Sequence, residues 1–284
     1  MTTPTRFAII GPGVMGEAII AGLLRKEITS PSGVTAAGPR SVRGEELVER
    51  YKIGFAGNAE AARQADVVIL SVKPQRLAAV MKDLRGVIPP SSLVISIIAG
   101  AKVSALQSGL DHRAVIRAMP NTPAQIGEGI AVWTAAPEVS VEQRDLAARI
   151  LRALGEEVFV EDENYLDMAT ALSGTGPAYV FLFMEAMIDA GVHLGFPRRI
   201  AEQLVTETLR GSVDYYAGRK QHAASLRNEV TSPGGTSAEA IYYLEKAGFR
   251  TAISRAVWAA YQRSLELGKE KPAHNPEAHD EETL

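Results

Sequence analysis

The sequence predicts an α/β fold: a doubly wound, mostly parallel sheet at the N-terminus, followed by an all-α C-terminal half. Three observations predict it. Short apolar runs of strand type alternate with helical segments as far as Asp162, a glycine-rich turn joins the first strand to the first helix, and strand signals vanish from Asn164 onward. Alternating strands and helices give a parallel sheet covered on both faces, whereas an uninterrupted helical run must pack helix on helix. The expected division is 1–162 for the first domain, 163–268 for the second, and 269–284 for a charged tail expected to be disordered.

Bulk properties exclude several classes. The 284 residues suffice for two ordinary domains. Hydrophobic residues make up 46% and charged residues 22%, the balance of a globular protein in water. A net charge of −3 supplies no general attraction to nucleic acid or to an anionic membrane. The absence of cysteine excludes disulfides, thiolate metal sites and a cysteine nucleophile, and the five histidines show no metal-ligand spacing. Met1 to Arg6 lacks the apolar core of a signal peptide. No apolar run is expected to span a bilayer, because Glu185 and Asp189 break the stretch from Ala178 to Val192. A cytoplasmic protein without metal, nucleic acid or membrane partner is expected.

The first strand is Arg6 to Ile10, and Gly11-Pro12-Gly13-Val14-Met15-Gly16 follows it directly, with a helix from Glu17 to Arg25. This is the G-x-G-x-x-G pattern in its required setting, strand before and helix after. Gly11 permits the turn, Gly13 lets a pyrophosphate approach the backbone, and Gly16 lets helix and strand pack closely. A dinucleotide-binding Rossmann domain is therefore expected. The second strand, Val34 to Ala37, leads into Gly38-Pro39-Arg40-Ser41-Val42-Arg43, where an NAD enzyme would carry an acid for the ribose hydroxyls. Arg40, Ser41 and Arg43 instead suit a 2′-phosphate, so NADPH is expected over NADH.

Asn58 is placed as the cap of a short helix. The strand from Asp66 to Val72 delivers Val72, Lys73, Pro74 and Gln75 to its carboxyl end, where ligands bind in such sheets. Leu93 to Ile98 closes with Ala99-Gly100, and the strand from Ala114 to Ala118 is followed by Met119-Pro120-Asn121-Thr122-Pro123. Ile130 to Trp133 and Glu157 to Val160 extend the sheet, with a helix at Val141 to Leu154 between them.

The second half reads as helices at Tyr165–Leu172, Ala178–Leu194, Pro197–Tyr216, Ala223–Val230, Ser237–Lys246 and Phe249–Gly268. Ala178–Leu194 is apolar on nearly every face, and about a hundred residues enclose little volume for such a helix. A homodimer through this half is expected. Ser173-Gly174-Thr175-Gly176-Pro177 makes one hydroxyl-rich turn before a helix, and Ser232-Pro233-Gly234-Gly235-Thr236-Ser237 makes another. The latter suits a small carboxylate, because helix N-termini leave N–H groups without intrahelical acceptors and the helix dipole favours an anion there. Thr236 or Ser237 acting merely as a helix cap is the plain structural alternative.

Taken in order, the glycine turn, Val72-Lys73-Pro74-Gln75, Met119-Pro120-Asn121-Thr122-Pro123, Ser173-Gly174-Thr175-Gly176-Pro177-Ala178-Tyr179 and Val230-Thr231-Ser232-Pro233-Gly234-Gly235-Thr236 resemble the pyrroline-5-carboxylate reductase family, as far as Gly268. The resemblance implies reduction of the cyclic imine L-1-pyrroline-5-carboxylate to L-proline by NAD(P)H. It implies a Rossmann domain followed by a helical dimerisation domain, with dimers often assembled into decamers as a pentamer of dimers. It places the substrate carboxylate on the backbone of Ser232, Gly234, Gly235, Thr236 and Ser237. The hydroxyl of Ser237, or of Thr236 beside it, falls at the ring nitrogen, and Asn58, Ala99 and Asn121 fall along the cofactor cleft. Two rivals are a β-hydroxyacid dehydrogenase of the 6-phosphogluconate-dehydrogenase type and a non-catalytic NADP-sensing protein. The first uses a lysine on the helix after a glycine turn, and Ala178–Leu194 contains none. The second is weakened by the intact carboxylate loop.

Overall fold

The computed structural model describes residues 5–39 and 41–269. The chain divides into two compact units. One runs to Gly174 and resumes at Ala260, and the other is Thr175–Ala259. Residues 163–174 and the end of the last helix thus pack within the sheet-bearing unit.

The first unit carries β1 (Phe7–Ile10), α1 (Val14–Arg25), β2 (Val34–Ala37), α2 (Ser41–Tyr51), β3 (Gly54–Ala56), α3 (Asn58–Arg63), β4 (Val67–Leu70), α4 (Leu77–Leu84), β5 (Leu93–Ser96), α5 (Val103–Leu110), β6 (Val115–Pro120), β7 (Gly129–Ala135), α6 (Val141–Arg152), β8 (Gly155–Phe159) and α7 (Asn164–Ala169). The sheet order is β3-β2-β1-β4-β5-β6-β7-β8. Only β6 and β7 pair antiparallel, joined by the short 121–128 connection. The order reverses between β1 and β4, and that switch point is where open α/β sheets bind ligands.

Strand alternation builds two cores. Phe7 and Ile9 of β1 face α1, α2 and α6 through Ile20, Leu23, Leu47 and Leu151. Ala8 and Ile10 face α3, α4 and α5 through Ala62, Leu84 and Leu106. Successive side chains of a strand point to opposite faces, so a strand buried on both must be apolar throughout. Each fully buried Ile, Leu or Phe contributes about 1.5–3 kcal/mol. β6 runs two residues further than expected, through Met119 and Pro120, with Pro120 opposite Ala131.

The second unit carries α8 (Gly176–His193), α9 (Arg198–Arg219), α10 (Ala223–Glu229), α11 (Thr236–Lys246) and most of α12 (Phe249–Leu267). α8 and α9 pack closely where a Cβ on Gly191 would lie 3.1 Å from the Ala201 Cβ. Among its described residues only Ala201, Val205 and Leu226 are buried apolar side chains, while Phe181 and Leu182 are 62% and 66% exposed. By length and composition alone, 164–193 would suffice to cross a bilayer, at mean hydropathy 1.2. The expectation that Glu185 and Asp189 interrupt any span therefore rests on those two charges and not on length.

Candidate active site

The glycine turn sits at the switch point. Gly11 takes φ +88°, a backbone region open to glycine, and a Cβ there would lie 2.9 Å from the Val72 nitrogen. Its N–H donates to the Ala37 carbonyl at 2.8 Å, stitching the turn to the end of β2. Ser71, just past β4, donates from Oγ to the Gly11 carbonyl at 2.8 Å, and a Cβ on Gly16 would meet Ser71 Oγ at 2.8 Å. Ser71 is a contributor that sequence reasoning missed.

Gly13 is the N-cap of α1 and supplies no side-chain acceptor. The first intrahelical bond is Glu17 N–H to the Gly13 carbonyl. The N–H groups of Val14, Met15 and Gly16 therefore have no helix acceptor, and nothing lies within 4 Å of a Cβ placed on Gly13. This open, donor-lined cradle at a positive helix end fits a pyrophosphate.

Glu17 would oppose such an anion were it not compensated. Its carboxylate accepts from Arg50 Nη1 at 2.6 Å, from Tyr51 Oη at 3.0 Å and from Arg43 Nη2. Burial disfavours the charged form, but the donors of Arg43, Tyr51 and Arg50 outweigh it and hold Glu17 below the usual carboxylate range. Arg43 also donates from Nε to the Pro12 carbonyl at 3.3 Å and from Nη1 to Glu46 at 2.9 Å. Arg40 lies outside the described residues, as does the Ser41 side chain.

The other expected cofactor residues lie at the strand ends. Val72 and Pro74 are half-buried and Lys73 is exposed where a 3₁₀ turn opens after β4, and Ala99 is half-buried in the turn after β5. Asn58 is not a cap. Gly57 occupies that position and Asn58 is the first residue of α3, its Nδ2 3.4 Å from Asp83. Asn121 spends both ends of its amide within the protein, donating to the Ser173 carbonyl at 3.2 Å and accepting from the Ile130 N–H at 3.0 Å. It fixes a π-helical turn, Thr170–Gly174, rather than presenting a free side chain.

One cluster was not foreseen. Arg117, 2% exposed within β6, donates to Glu163 at 3.0 Å and to Asp167 at 2.9 Å. Ser264 of α12 donates to the same Asp167 oxygen at 2.7 Å, and Val103 N–H donates to Glu163 at 2.8 Å. An arginine inside an apolar strand is the only sequence signal for it.

In the second unit, Gly235 N–H donates to the Ser232 carbonyl at 3.0 Å and Gly234 takes φ +72°. That turn makes Gly235 the N-cap of α11, with no side-chain cap bond. Thr236 and Ser237 are the first two helical residues, so neither is the cap. Because the first intrahelical bond is Glu239 N–H to the Gly235 carbonyl, the N–H groups of Thr236, Ser237 and Ala238 have no helix acceptor. Ser232 and Thr236 are exposed and Ser237 is half-buried. Among the described residues no group of acidic and histidine side chains could hold a metal.

A doubly wound sheet with an open glycine turn at its switch point, continued by a helical unit, defines a dinucleotide-dependent oxidoreductase. Comparison with known proteins specifies it. A family described as pyrroline-5-carboxylate reductase dimerisation matches residues 163–267, and one described as NADP oxidoreductase, coenzyme F420-dependent, matches 6–100. The pyrroline-5-carboxylate reductase of Synechocystis is 43% identical over 93% of this chain and 98% of its own. That of Escherichia coli is 35% identical over 93% and 98%. The crystal structure of the Plasmodium falciparum pyrroline carboxylate reductase, with NADP bound, superposes with a TM-score of 0.87 at 31% identity, covering 93% of this chain and 98% of that one. The chain belongs to the pyrroline-5-carboxylate reductase family. It is an oxidoreductase and a homo-oligomer, and neither rival reading is favoured.

Proposed function

We propose that this chain reduces L-1-pyrroline-5-carboxylate to L-proline, with NADPH as the preferred hydride donor and NADH as a weaker one. The observation that carries the reading is a shared design at two helix starts. α1 and α11 are both capped by glycine, which leaves three backbone N–H groups at each for an anion. The cradle at Gly13 holds the cofactor pyrophosphate, with Val72, Lys73, Pro74, Ala99 and Asn121 along the strand ends. The turn from Ser232 to Ser237 holds the substrate carboxylate on the N–H groups of Thr236, Ser237 and Ala238.

Reduced nicotinamide, when bound, supplies the hydride. A protonated imine is already electrophilic, so the protein's task is to orient its carbon and exclude other poses. The carboxylate anchor fixes one end of the ring, and the hydroxyl of Ser237 or Thr236 supports the ring nitrogen as it becomes an amine. This chemistry calls for no catalytic histidine cluster. The same reading makes the enzyme cytoplasmic and dimeric through the α8 face, with a pentamer of dimers as the larger assembly.

The test is oxidation of NADPH with pyrroline-5-carboxylate beside NADH at matched concentration. Faster turnover with NADPH is the expected result. Faster turnover with NADH would remove the 2′-phosphate reading and keep the reaction, while no turnover with either would remove the substrate assignment.

A further inference from the structure

The end of β2 is built against the glycine turn: Gly11 N–H donates to the Ala37 carbonyl at 2.8 Å, and a Cβ on Gly38 would lie 3.2 Å from Pro12 Cδ. Arg43, in the first turn of α2, reaches back to the Pro12 carbonyl at 3.3 Å. Its guanidinium therefore stands at the wall of the cradle, on the β2 side, where the adenosine ribose of a dinucleotide falls in such folds. Every nitrogen of that guanidinium has a protein partner: Nε on Pro12, Nη2 on Glu17 and Nη1 on Glu46.

The two carboxylates differ in how firmly they are held. Glu17 takes three donors and its side chain is 18% exposed; Glu46 takes Arg43 at i,i+3 and is 53% exposed. Displacing Glu17 would strand Arg50 and Tyr51 as well. Displacing Glu46 costs only an exposed ion pair, and the released carboxylate is solvated at once.

We propose that Glu46 is a specificity-determining residue, an exchangeable counter-ion that a cofactor 2′-phosphate must displace from Arg43 while Glu17 and the Pro12 carbonyl hold the guanidinium in place. This rests on the NADPH reading above. With a 2′-hydroxyl cofactor, Glu46 stays on Arg43 and that guanidinium keeps all its partners. With a 2′-phosphate, the phosphate takes Nη1 and the exchange returns only the difference between two charge-assisted bonds. Glu46 thus lowers the preference for the phosphorylated cofactor and keeps the unphosphorylated one usable.

The experiment measures dissociation constants of 2′,5′-ADP, 5′-ADP, NADPH and NADH by calorimetry on the intact enzyme and on Glu46→Gln, Arg43→Met and the double variant. Glu46→Gln is expected to bind 2′,5′-ADP and NADPH about two- to fivefold more tightly, the equivalent of an exposed ion pair, with 5′-ADP and NADH unchanged. Arg43→Met is expected to lose on the order of tenfold for the phosphorylated pair. In the Arg43→Met background, Glu46→Gln is expected to have no effect, because the two act through one contact. An unchanged ratio in Glu46→Gln overturns the proposal. An equal tightening with Arg43 absent also overturns it, since the glutamate would then act as a remote charge. If the unaltered enzyme binds 2′,5′-ADP no better than 5′-ADP, the NADPH preference falls, and the Glu46 proposal is still decided by whether its variant moves the ratio.

Discussion

At the scale of single residues the site depends on backbone donors more than on reactive side chains. Where Ser237 rather than Thr236 is the hydroxyl proposed at the ring nitrogen, Ser237→Ala is expected to lower kcat on the order of tenfold, the value of one hydrogen bond made in the transition state. Gly235→Val would bring a Cβ to 3.1 Å from the Ser232 carbonyl and crowd the turn. It is expected to raise the substrate KM severalfold with a smaller change in kcat. Steady-state kinetics of the two variants check both, and unchanged constants would remove the loop from the site. Glu17 offers a different readout. Its folded pKa lies below the ordinary value despite burial, because Arg43, Tyr51 and Arg50 donate to it. A carboxylate whose pKa is depressed on folding adds stability that is complete above its unfolded pKa and is lost as pH falls through the folded one. Glu17→Gln is therefore expected to lower stability by on the order of 1–2 kcal/mol at pH 7. That deficit should shrink below about pH 4, as the carboxylate of the unaltered protein protonates. Denaturant midpoints from pH 7 to pH 3 check this, and a deficit constant across the range would mean that the charge of Glu17 does not matter.

At the scale of elements, the Arg117 cluster ties β6 to α5, α7 and α12. Asp167 joins β6 to α7 and, through Ser264, to α12, whose end lies against the turn after β5. A Cβ on Gly100 would sit 2.8 Å from the Gly268 nitrogen, so that turn, with Ala99 in it, is backed directly by α12. Asp167→Ala leaves a buried arginine short of its partner and is expected to cost about 3–5 kcal/mol. Ser264→Ala removes one donor and is expected to cost about 1 kcal/mol. If urea denaturation gives equal costs, the ion pair is not what holds these elements. Beyond an arginine inside an apolar strand, the cluster left no mark in the sequence, since residues 103, 117, 163, 167 and 264 meet only in three dimensions. What was legible is what local chemistry writes down. The strand and glycine turn from Phe7 appear as expected, the helix that follows starts at Val14, three residues before the expected Glu17, and the apolar runs of β4 and β5 declare buried strands. β3 escaped notice because Gly54-Phe55-Ala56 is too short to show a pattern. Asn58 was misread because asparagine favours caps, whereas the preceding Gly57 already takes extended φ and ψ of −68° and 156°. The extra length of β6 was hidden by Pro120, which gives up an N–H yet still lies opposite Ala131 in the antiparallel pair.

At the scale of the whole molecule, the two units differ in what they can bury alone. The sheet unit has a core on each face, while the helical unit leaves Phe181, Leu182, Val213 and Tyr243 more than half exposed. An apolar face of that extent is stable in water only when covered. A family described by its dimerisation matches this segment, which supports the proposal that a second copy covers it. An all-apolar helix also reads as a bilayer span, but α8 carries Glu185 and Asp189. An oligomer buried through α8 makes stability depend on concentration. Phe181→Glu with Leu182→Glu places two charges in the proposed contact, each costing several kcal/mol to desolvate. The double variant is expected to run as a monomer by light scattering, and to lack the rise of Tm with protein concentration that is expected of the unaltered enzyme. Binding of 2′,5′-ADP should persist, because the cradle at Gly13 is built wholly within the sheet unit. Loss of both association and nucleotide binding would indicate general unfolding. Retained association, with the charges in place, would move the subunit contact away from α8.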